Sequence, residues 1–444
     1  MRDKTILRDH IGFIVLLVFL FLAPQIPIQM IPIQISGGSV RSSISLGFFG
    51  YVIWFLICPG YLLKFSKRTI PLPIIFLIFF AFYAFFISLL STNLVSIAYA
   101  FQFLFYVIMG GLFLSKYILK SRINNSIDIS LKIFFIVMII YAMGVLISVF
   151  TGPFYPFQTI HTLRPWGNLW IQQGVGFSEG QNMAAEILIV FTAASIYLYQ
   201  GNRFKKIILI CLSLSALIST LCRSPIIAFL VAILSLLFLE FIRVIVFFGK
   251  VKKKILSSIF FLILGLFFIV IIGGVSLYII NKPLLTGILL GFGFRETDYF
   301  IRDLNTRFSL WSRGVNKWIS IGSIISYIFG NGFRSSMGIV YETGAWATNH
   351  NIFITILAEF GIIGFTIFIL IFLTSLLEYS YIIVKNKDIN LGLLARFGFV
   401  SVLGIMIHNL AGEFLYSPIS ISMLILTITL SSPKLYISSY LIKK

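Results

Sequence analysis

The chain of 444 residues carries little charge, and acidic side chains are the scarcest part of it. Charged residues make up 11% of the sequence, against about a quarter in soluble domains. This excludes an ordinary soluble globular protein. Asp and Glu number 14 and Lys and Arg 34, which gives a net charge of +20. Basic residues hold membrane segments in their orientation, so this excess does not by itself indicate nucleic-acid binding.

Cysteine and histidine are also rare, with 3 and 4 residues respectively. Cys58, Cys211 and Cys222 lie in or beside apolar segments, so no disulfide is expected between outer loops. The residue spacing of a metal site is absent, and we predict neither a metal ion nor another cofactor. The sequence also lacks an inverted repeat and a matching pair of Gly/Pro-broken helices, which disfavours a secondary transporter.

Long apolar runs are what the sequence has in abundance. Apolar residues make up 59% of the chain, and the mean hydropathy is +1.04. A helix needs roughly 20 apolar residues to cross a bilayer. Twelve such runs lie at 11–32, 44–63, 70–90, 94–114, 131–150, 183–199, 207–221, 225–242, 255–280, 352–377, 393–411 and 417–433. The sequence therefore predicts an all-α polytopic membrane protein, one integral membrane domain over residues 1–444 with about 12 transmembrane helices.

The basic residues predict which side of the membrane each loop occupies. With both termini in the cytoplasm, 24 of the 34 Lys and Arg lie inside and 10 outside, as the positive-inside rule requires. The inside set has 17 Lys and 7 Arg, whereas the outside set has 2 Lys and 8 Arg. The planar fork of arginine binds phosphate through two parallel hydrogen bonds. The outside bias therefore indicates a phosphate ligand, with ion pairs to Glu296, Asp298 or Asp303 as the alternative for single arginines.

Two long outer loops, 151–181 and 281–349, interrupt the alternation of spans and short links. They contain five of the 6 Trp residues, which suit either an interfacial aromatic belt or stacking on sugar rings. Part of the second loop has the pattern of an amphipathic helix lying on the membrane. Its apolar face is Leu304, Phe308, Trp311, Val315 and Trp318, its basic face is Arg302, Arg313 and Lys317, and Arg307 lies at the flank. Further on, Gly330-Asn-Gly-Phe-Arg334 predicts a turn whose backbone comes close to another segment.

The first candidate site is the turn Cys222-Arg223-Ser224-Pro225 between the seventh and eighth spans. Basic links limit each of these spans to roughly 16 residues, about 25 Å of helix, so we expect the turn beneath the outer surface. Ser224 is predicted to be the N-cap and Pro225 the first helical residue. The amides of a helix N-terminus with an arginine beside them form an anion site. The alternative for Arg223 is a helix-end arginine bonded to neighbouring carbonyls.

The second candidate is Asn349-His350-Asn351 at the start of the tenth span. Histidine exchanges protons near neutral pH, so His350 is the candidate general base for a sugar hydroxyl. Asn351, Thr355 and Glu359 recur every four residues and predict a polar stripe along one side of the helix. We expect Glu359 to orient Asn351 or an arginine rather than to act as the base. A purely structural capping role is the alternative for His350.

A third group lies in the first outer loop and in the helix that follows it. Arg164 is a candidate for a second phosphate or sugar contact, and Asn182 and Glu186 lie four residues apart on one helix face. His161 is the rival candidate for the general base, and His408 near the last outer turn is the next. A polar loop that enters a helix would give the same pattern without a binding role.

These residues resemble the motifs of the O-antigen polymerase and O-antigen ligase superfamily of bacterial inner membranes. The resemblance covers residues 150–410 and rests on four motifs in the same order. They are Ser219-Thr-Leu-Cys-Arg223-Ser224 opening a helix, Arg307-Phe-Ser-Leu-Trp311 in the long loop, the turn Gly330-Asn-Gly332, and His350-Asn351 followed by Glu359-Phe-Gly361-Ile-Ile-Gly364. The Pro-Asn pair usual near the start of the sixth span is replaced here by Gln181-Asn182.

The resemblance implies glycosyl transfer on the periplasmic face of the inner membrane, without a metal ion, from an undecaprenyl-diphosphate-linked oligosaccharide. Arg223 and Arg307 would bind the diphosphate leaving group, and His350 would activate the acceptor hydroxyl. The other expected substrate contacts are Arg164, Asn182, Glu186, Arg302, Arg313, Arg334, Asn351 and Glu359. Fixed arginines stabilise the charge that develops on the phosphate as the sugar leaves. The lipid bilayer and a chain-length regulator protein are the other expected partners.

Polymerase and ligase differ in their acceptor, which is another lipid-linked repeat for the polymerase and the lipid A–core for the ligase. We favour O-antigen polymerase because the Ile/Phe-rich chain and its divergent loops suit an enzyme tailored to one glycan. The alternative from another class is a flippase or transporter of lipid-linked glycans. Such a protein would carry charges through many helices along a two-sided path, whereas the predicted chemistry lies on one face.

Overall fold

The structure is a computed structural model of the chain. It describes residues 2–22, 28–35, 38–44, 46–59, 70–91, 94–152, 154, 163–166, 169–178, 180–244, 309–312, 314–316, 318–319, 323–333, 335, 339–340, 346–347, 351–412 and 417–443. The ninth predicted span, 255–280, lies outside the described residues.

Helices make up most of the described chain. The first are α1 Arg2–Leu17 with a π-helical turn Val18–Leu22, α2 Leu46–Ile57, α3 Leu72–Leu90, α4 Leu94–Ile123, α5 Ile127–Thr151, α6 Gln181–Tyr197 and α7 Arg203–Ser219. They are followed by α8 Arg223–Val244, α9 Ile324–Phe329, α10 Ile352–Lys385, α11 Ile389–His408 with a 3₁₀ turn Asn409–Ala411, α12 Pro418–Ser431 and α13 Pro433–Lys443. Three antiparallel hairpins pair β1 Ile28–Ile35 with β2 Gly38–Ile44, β3 Leu163–Trp166 with β4 Leu169–Gln172, and β5 Ile339–Val340 with β6 Trp346–Ala347.

Several helices begin where the sequence supplies a capping side chain. Asn202 Oδ1 accepts the N–H of Phe204 at 2.8 Å at the start of α7. Asp388 Oδ1 accepts two N–H groups at the start of α11, at 2.9 and 3.1 Å. Proline stands at the first position of α12 and α13, where its missing N–H breaks no intrahelical bond. These local signals determine the residues at which the helices begin. They therefore also determine which side chains lie in the loops at each end of the bundle.

The described helices define a polytopic helical membrane protein. Among them α3, α4, α5, α8, α10 and α11 are long and apolar enough to cross a membrane, and α12 with α13 passes the same test as one span bent by 44°. Ten of the twelve predicted runs coincide with a helix in the described part of the chain. The count of twelve spans and the outer position of the long loops stay predictions.

The first predicted run, 11–32, needs a correction. Its helix begins at Arg2 and the helical turns end at Leu22, whereas Ile28–Ile35 pairs with the next segment as β1. Pro32 lies inside this strand, and the pairing register shifts between Gln29 and Pro32. Proline lacks an N–H and blocks the preceding helical turn, so a strand with a bulge accommodates it where a helix interior would not.

The bundle has its centre at α6 and α12. Every residue from Met183 to Ser195 in α6 is buried, and so is every residue from Ile419 to Ser432. α6 packs against α7, α11 and α12. Polar side chains on these two helices have no access to solvent, so they have to find partners within the protein.

Candidate functional site

The turn between α7 and α8 places Arg223 at the start of a helix. Leu221 has a positive φ of 53°, and the Thr220 hydroxyl accepts the N–H of Cys222 at 3.3 Å. α8 begins at Arg223, so Cys222 occupies the N-cap position. The prediction of Ser224 as N-cap is therefore wrong by two residues, because the Ser224 hydroxyl is bonded to another helix instead. Arg223 is the first residue of a 22-residue helix.

The segment 173–178 is bonded to the first part of this turn, and we call it the strap. The N–H of Gly174 donates to Ser219 O at 2.8 Å, and the fully buried Gln173 donates from Nε2 to Thr220 O at 3.0 Å. A Cβ at Gly174 would lie 2.8 Å from both Ser219 Oγ and the carbonyl of Val145. Only glycine permits this approach, so the strap packs closely against Ser219 and Thr220, whereas Arg223 and Ser224 further along are half-buried.

Side chains from three helices, α6, α8 and α11, meet at the turn. Ser224 Oγ and His408 Nδ1 share a hydrogen bond of 2.9 Å, which joins α8 to the end of α11. Cys222 Sγ donates to Asn182 Oδ1 at 2.9 Å, which joins the turn to the start of α6. We call the group at this end of the bundle the outer polar cluster; its members are Asn182, Glu186, Cys222, Arg223, Ser224, His408, Asn409 and Ser420.

The carboxylate of Glu186 lies buried in the outer polar cluster and binds side chains of two other segments. Its Oε1 accepts Asn409 Nδ2 at 3.0 Å and its Oε2 accepts Ser420 Oγ at 2.5 Å. Glu186, Asn409 and Ser420 are all 0% exposed. A buried carboxylate with donors on both oxygens holds α6, α11 and α12 in register. The arrangement suits a positioning role for Glu186, and the direct substrate contact expected from the sequence stays a prediction.

The polar stripe of α10 is buried as the sequence predicts. Asn351 caps the helix and accepts the N–H groups of Phe353 and Ile354 at 3.0 and 3.2 Å. Asn351, Thr355 and Glu359 are 6%, 2% and 0% exposed. α10 also packs against the 3₁₀ turn Asn409–Ala411, so the stripe helix adjoins the outer polar cluster.

The predicted Gly330 turn packs its backbone against α10, as expected. α10 breaks its helical geometry at Gly361, where φ is 62°. At this break the carbonyl of Glu359 accepts the N–H groups of Asn331 and Gly332 at 2.8 and 2.9 Å. The Tyr83 hydroxyl donates to Phe329 O at 2.8 Å and lies 3.1 Å from Phe360 O. The part of the long loop around Gly330 is thus fixed between α3 and α10.

Only some of the predicted site residues fall in the described part of the chain. Arg223, Asn182 and Glu186 come together in the outer polar cluster, and Asn351 and Glu359 lie on the adjoining α10. Arg164 lies in β3, where it pairs with Ile171 of β4. The predicted residues that lie outside the described residues are His161, Arg302, Arg307, Arg313, Arg334 and His350. Residues 309–312, 314–316 and 318–319 of the long loop are helical, and their interfacial placement stays a prediction.

Sequence reasoning ranked His408 low and missed Asn409 and Ser420. The available signal was a polar pair, His408 and Asn409, at the end of an otherwise apolar run. Their partners Ser224 and Glu186 lie 184 and 223 residues away in the chain, and no local pattern reveals such pairs.

Comparison with known proteins gives no match, either to a protein-family model or to a curated protein sequence. Over the described residues no group of three or more His, Cys, Asp or Glu is placed to hold a metal ion. The half-buried Arg223 adds its positive charge to a helix N-terminus that lies beside the strap. This arrangement suits an anion.

Proposed function

We propose that the protein is an O-antigen polymerase, a glycosyltransferase of the bacterial inner membrane whose active site faces the periplasm. The donor is an undecaprenyl-diphosphate-linked glycan, and the acceptor is a sugar hydroxyl of another lipid-linked repeat. The observation that carries the proposal is the position of Arg223 as the first residue of α8, between Cys222 and Ser224, which are bonded to α6 and α11. A guanidinium beside helix amides suits a diphosphate group.

The reaction exchanges one carbon–oxygen bond for another. The acceptor oxygen bonds to the anomeric carbon of the donor glycan as the bond from that carbon to the diphosphate oxygen breaks. The electron pair stays on the diphosphate, where Arg223 and Arg307 stabilise the developing charge. Such preorganised charges act most strongly where water is excluded. Arg223 is half-buried beside the strap, which supports partial exclusion of water at this position.

The proton of the acceptor hydroxyl passes to His350 in this proposal. Asn351, next in the chain, caps α10, so residue 350 directly precedes a helix that adjoins the outer polar cluster. His408 takes a different role. Its bond to Ser224 holds the first turn of α8 against α11, so His408 positions Arg223.

Deletion of the gene in its source bacterium tests the reaction class. Loss of a polymerase leaves lipid A–core bearing a single repeat, because a separate ligase still attaches it. Loss of a ligase leaves bare core and polymer on the lipid carrier, and loss of a flippase leaves no periplasmic product. We expect the single-repeat band in the glycan ladder on gels. Bare core with carrier-linked polymer would assign the protein to the ligase instead.

A further inference from the structure

A second cavity lies at the opposite end of the bundle from the outer polar cluster. It has a volume of about 860 Å³ and lies between the starts of α5, α7 and α11 and the junction of α12 with α13. The distribution of basic residues predicts that this end faces the cytoplasm. The cavity is separate from the proposed glycosyl-transfer site and takes no part in it.

The walls of this cavity change from basic to apolar along the helices. On α5 the lining passes from Lys132 to Ile139 within two turns. On α7 it passes from Lys205 to Leu209. Both lysines are exposed, whereas Leu209 is buried. A charged rim above an apolar interior matches a molecule with a polar head and a hydrocarbon chain.

Three helices of 25, 17 and 20 residues begin at the rim, and their N-terminal ends carry partial positive charge. Asn202 and Asp388 cap α7 and α11, but Ser126 makes no side-chain cap at α5. Two carboxylates lie at the rim, the exposed Asp128 of the lining and Asp388 at the N-cap of α11, against the three cations Arg122, Lys132 and Lys205. The field at the rim therefore favours an anion.

Arg122 supplies an independent indication of an anionic ligand. It lines the cavity, it is 8% exposed, and its guanidinium donates from Nη2 to Leu430 O at 2.8 Å and lies over the Tyr436 ring. Its Nε has no hydrogen-bond partner, and no carboxylate pairs with it, within the described part of the chain. Asp388, the carboxylate near Tyr436, is engaged in capping α11. A buried cation without a counter-charge is costly, and a phosphate would supply that charge.

We propose that this cavity binds an anionic phospholipid of the cytoplasmic leaflet. The phosphate lies among Arg122, Lys132 and Lys205 at the three helix N-termini, and an acyl chain lies along the apolar walls. Basic pockets between membrane helices on this side are suited to acidic lipid headgroups. The bound lipid joins α5, α7 and α11, which belong to different parts of the chain.

The test uses the purified full-length chain in detergent, titrated with dioleoyl-phosphatidylglycerol and followed by native mass spectrometry. Dioleoyl-phosphatidylcholine has the same chains without net charge, and inorganic phosphate is the probe without chains. We expect tight binding of phosphatidylglycerol only. In the double variant Lys132→Gln, Lys205→Gln its apparent Kd should rise by about fivefold for each lysine removed. Both side chains are exposed, so the variant should fold normally.

The matched control is the double variant Lys206→Gln, Lys387→Gln, which loses the same charge at the same end of the bundle outside the cavity lining. Its affinity for phosphatidylglycerol should equal that of the unaltered chain. Three outcomes would overturn the proposal: equal binding of the two lipids, competition by inorganic phosphate at millimolar concentration, or equal losses in the two double variants.

Discussion

At the scale of single residues, the proposed role of Arg223 depends on the planar shape of its guanidinium as well as on its charge. Arg223 begins α8 beside a turn whose Cys222 and Ser224 are each bonded to another helix. The backbone at this position is therefore fixed. A planar fork on a fixed backbone can meet two phosphate oxygens at once, whereas an ammonium group offers a point charge.

We therefore predict that Arg223→Lys lowers glycan polymerisation nearly as much as Arg223→Ala, by about 10²-fold or more. The measurement is polymer yield in the complemented deletion strain, normalised to protein level. Arg243→Lys is the matched control, because this arginine lies near the other end of α8 and makes one partly exposed contact of 3.4 Å to Glu240. Retention of most activity by Arg223→Lys would contradict two-point phosphate binding at this position.

Substitution of His350 and substitution of His408 should affect different kinetic quantities. His350→Ala removes the proposed general base, so turnover should fall by about 10²–10⁴-fold with donor affinity retained. His408→Ala removes the bond to Ser224, so it should weaken donor binding and lower the melting temperature, while His408→Gln retains a hydrogen-bonding group and recovers part of both. The measurement is turnover and donor Kd of the purified protein with a lipid-diphosphate donor. Normal turnover in His350→Ala would shift the role of base to His161 or Glu359.

The sequence predicted the chemistry of single residues better than their partners. Arg223, Asn182 and Glu186 were all proposed as site residues, and the structure brings them into one cluster. The roles within that cluster depend on contacts between distant segments, such as Asn409 with Glu186. Hydrophobic periodicity carries no information on such pairs, because it reports burial and not the neighbour.

At the scale of elements, the long loop 281–349 contains a turn that only glycine permits. Gly330 ends α9 with φ 81° and ψ −170°, and a Cβ there would overlap the backbone of Glu359 and Phe360. The partner surface exists because α10 breaks its geometry at Gly361. Two glycines on two segments therefore make one joint between the loop and the helix that carries Asn351.

Gly152 provides a matched control for this joint. It ends α5 with φ 80° and ψ −175°, nearly the backbone conformation of Gly330, but no atom lies within 4 Å of its would-be Cβ. Gly152→Ala should cost only the backbone strain of an L-residue at this φ and ψ, about 1–3 kcal/mol. Gly330→Ala should cost that strain and about 1–3 kcal/mol more, because its Cβ displaces α10. Thermal unfolding in detergent measures the stability of both variants. Equal shifts in their melting temperatures would show that the contact of Gly330 with α10 does not contribute to stability.

Elements were predictable where one run of apolar residues makes one helix, as in α3, whose bounds match the predicted run to within two residues at its start. Breaks were not predictable. The kink inside α10 and the bend of 44° between α12 and α13 follow from packing, and apolar composition continues through both. The strand at Ile28–Ile35 was assigned to the first span because its Ile and Met residues continue the apolar run, although Gln29, Pro32 and Gln34 interrupt it.

At the scale of the whole molecule, the contacts sort the loops into two ends. One end joins the α7–α8 turn, the strap, the start of α6 and the end of α11, through Gly174, Asn182 and His408. The other joins the starts of α5, α7 and α11 around Arg122. This division is the one that alternate crossing of the membrane predicts, and among the described residues it places the basic segments 120–132, 203–206 and 385–387 at one end. It fixes which loops share a side, and the absolute side follows from charge alone.

We therefore predict that residue 312 of the long loop is accessible from the outside and residue 387 from the inside. Cys211 is exposed and is removed first as Cys211→Ser, and Cys58 and Cys222 are buried and give little background. Single variants Ser312→Cys and Lys387→Cys, both at exposed positions, are then treated in intact cells with a membrane-impermeant thiol reagent. Ser312→Cys should react in intact cells, and Lys387→Cys only after the membrane is opened. The reverse pattern would place Arg223 on the cytoplasmic side of the membrane. An acceptor glycan in the periplasm cannot reach that side, so this result would reject both the topology and the proposed reaction.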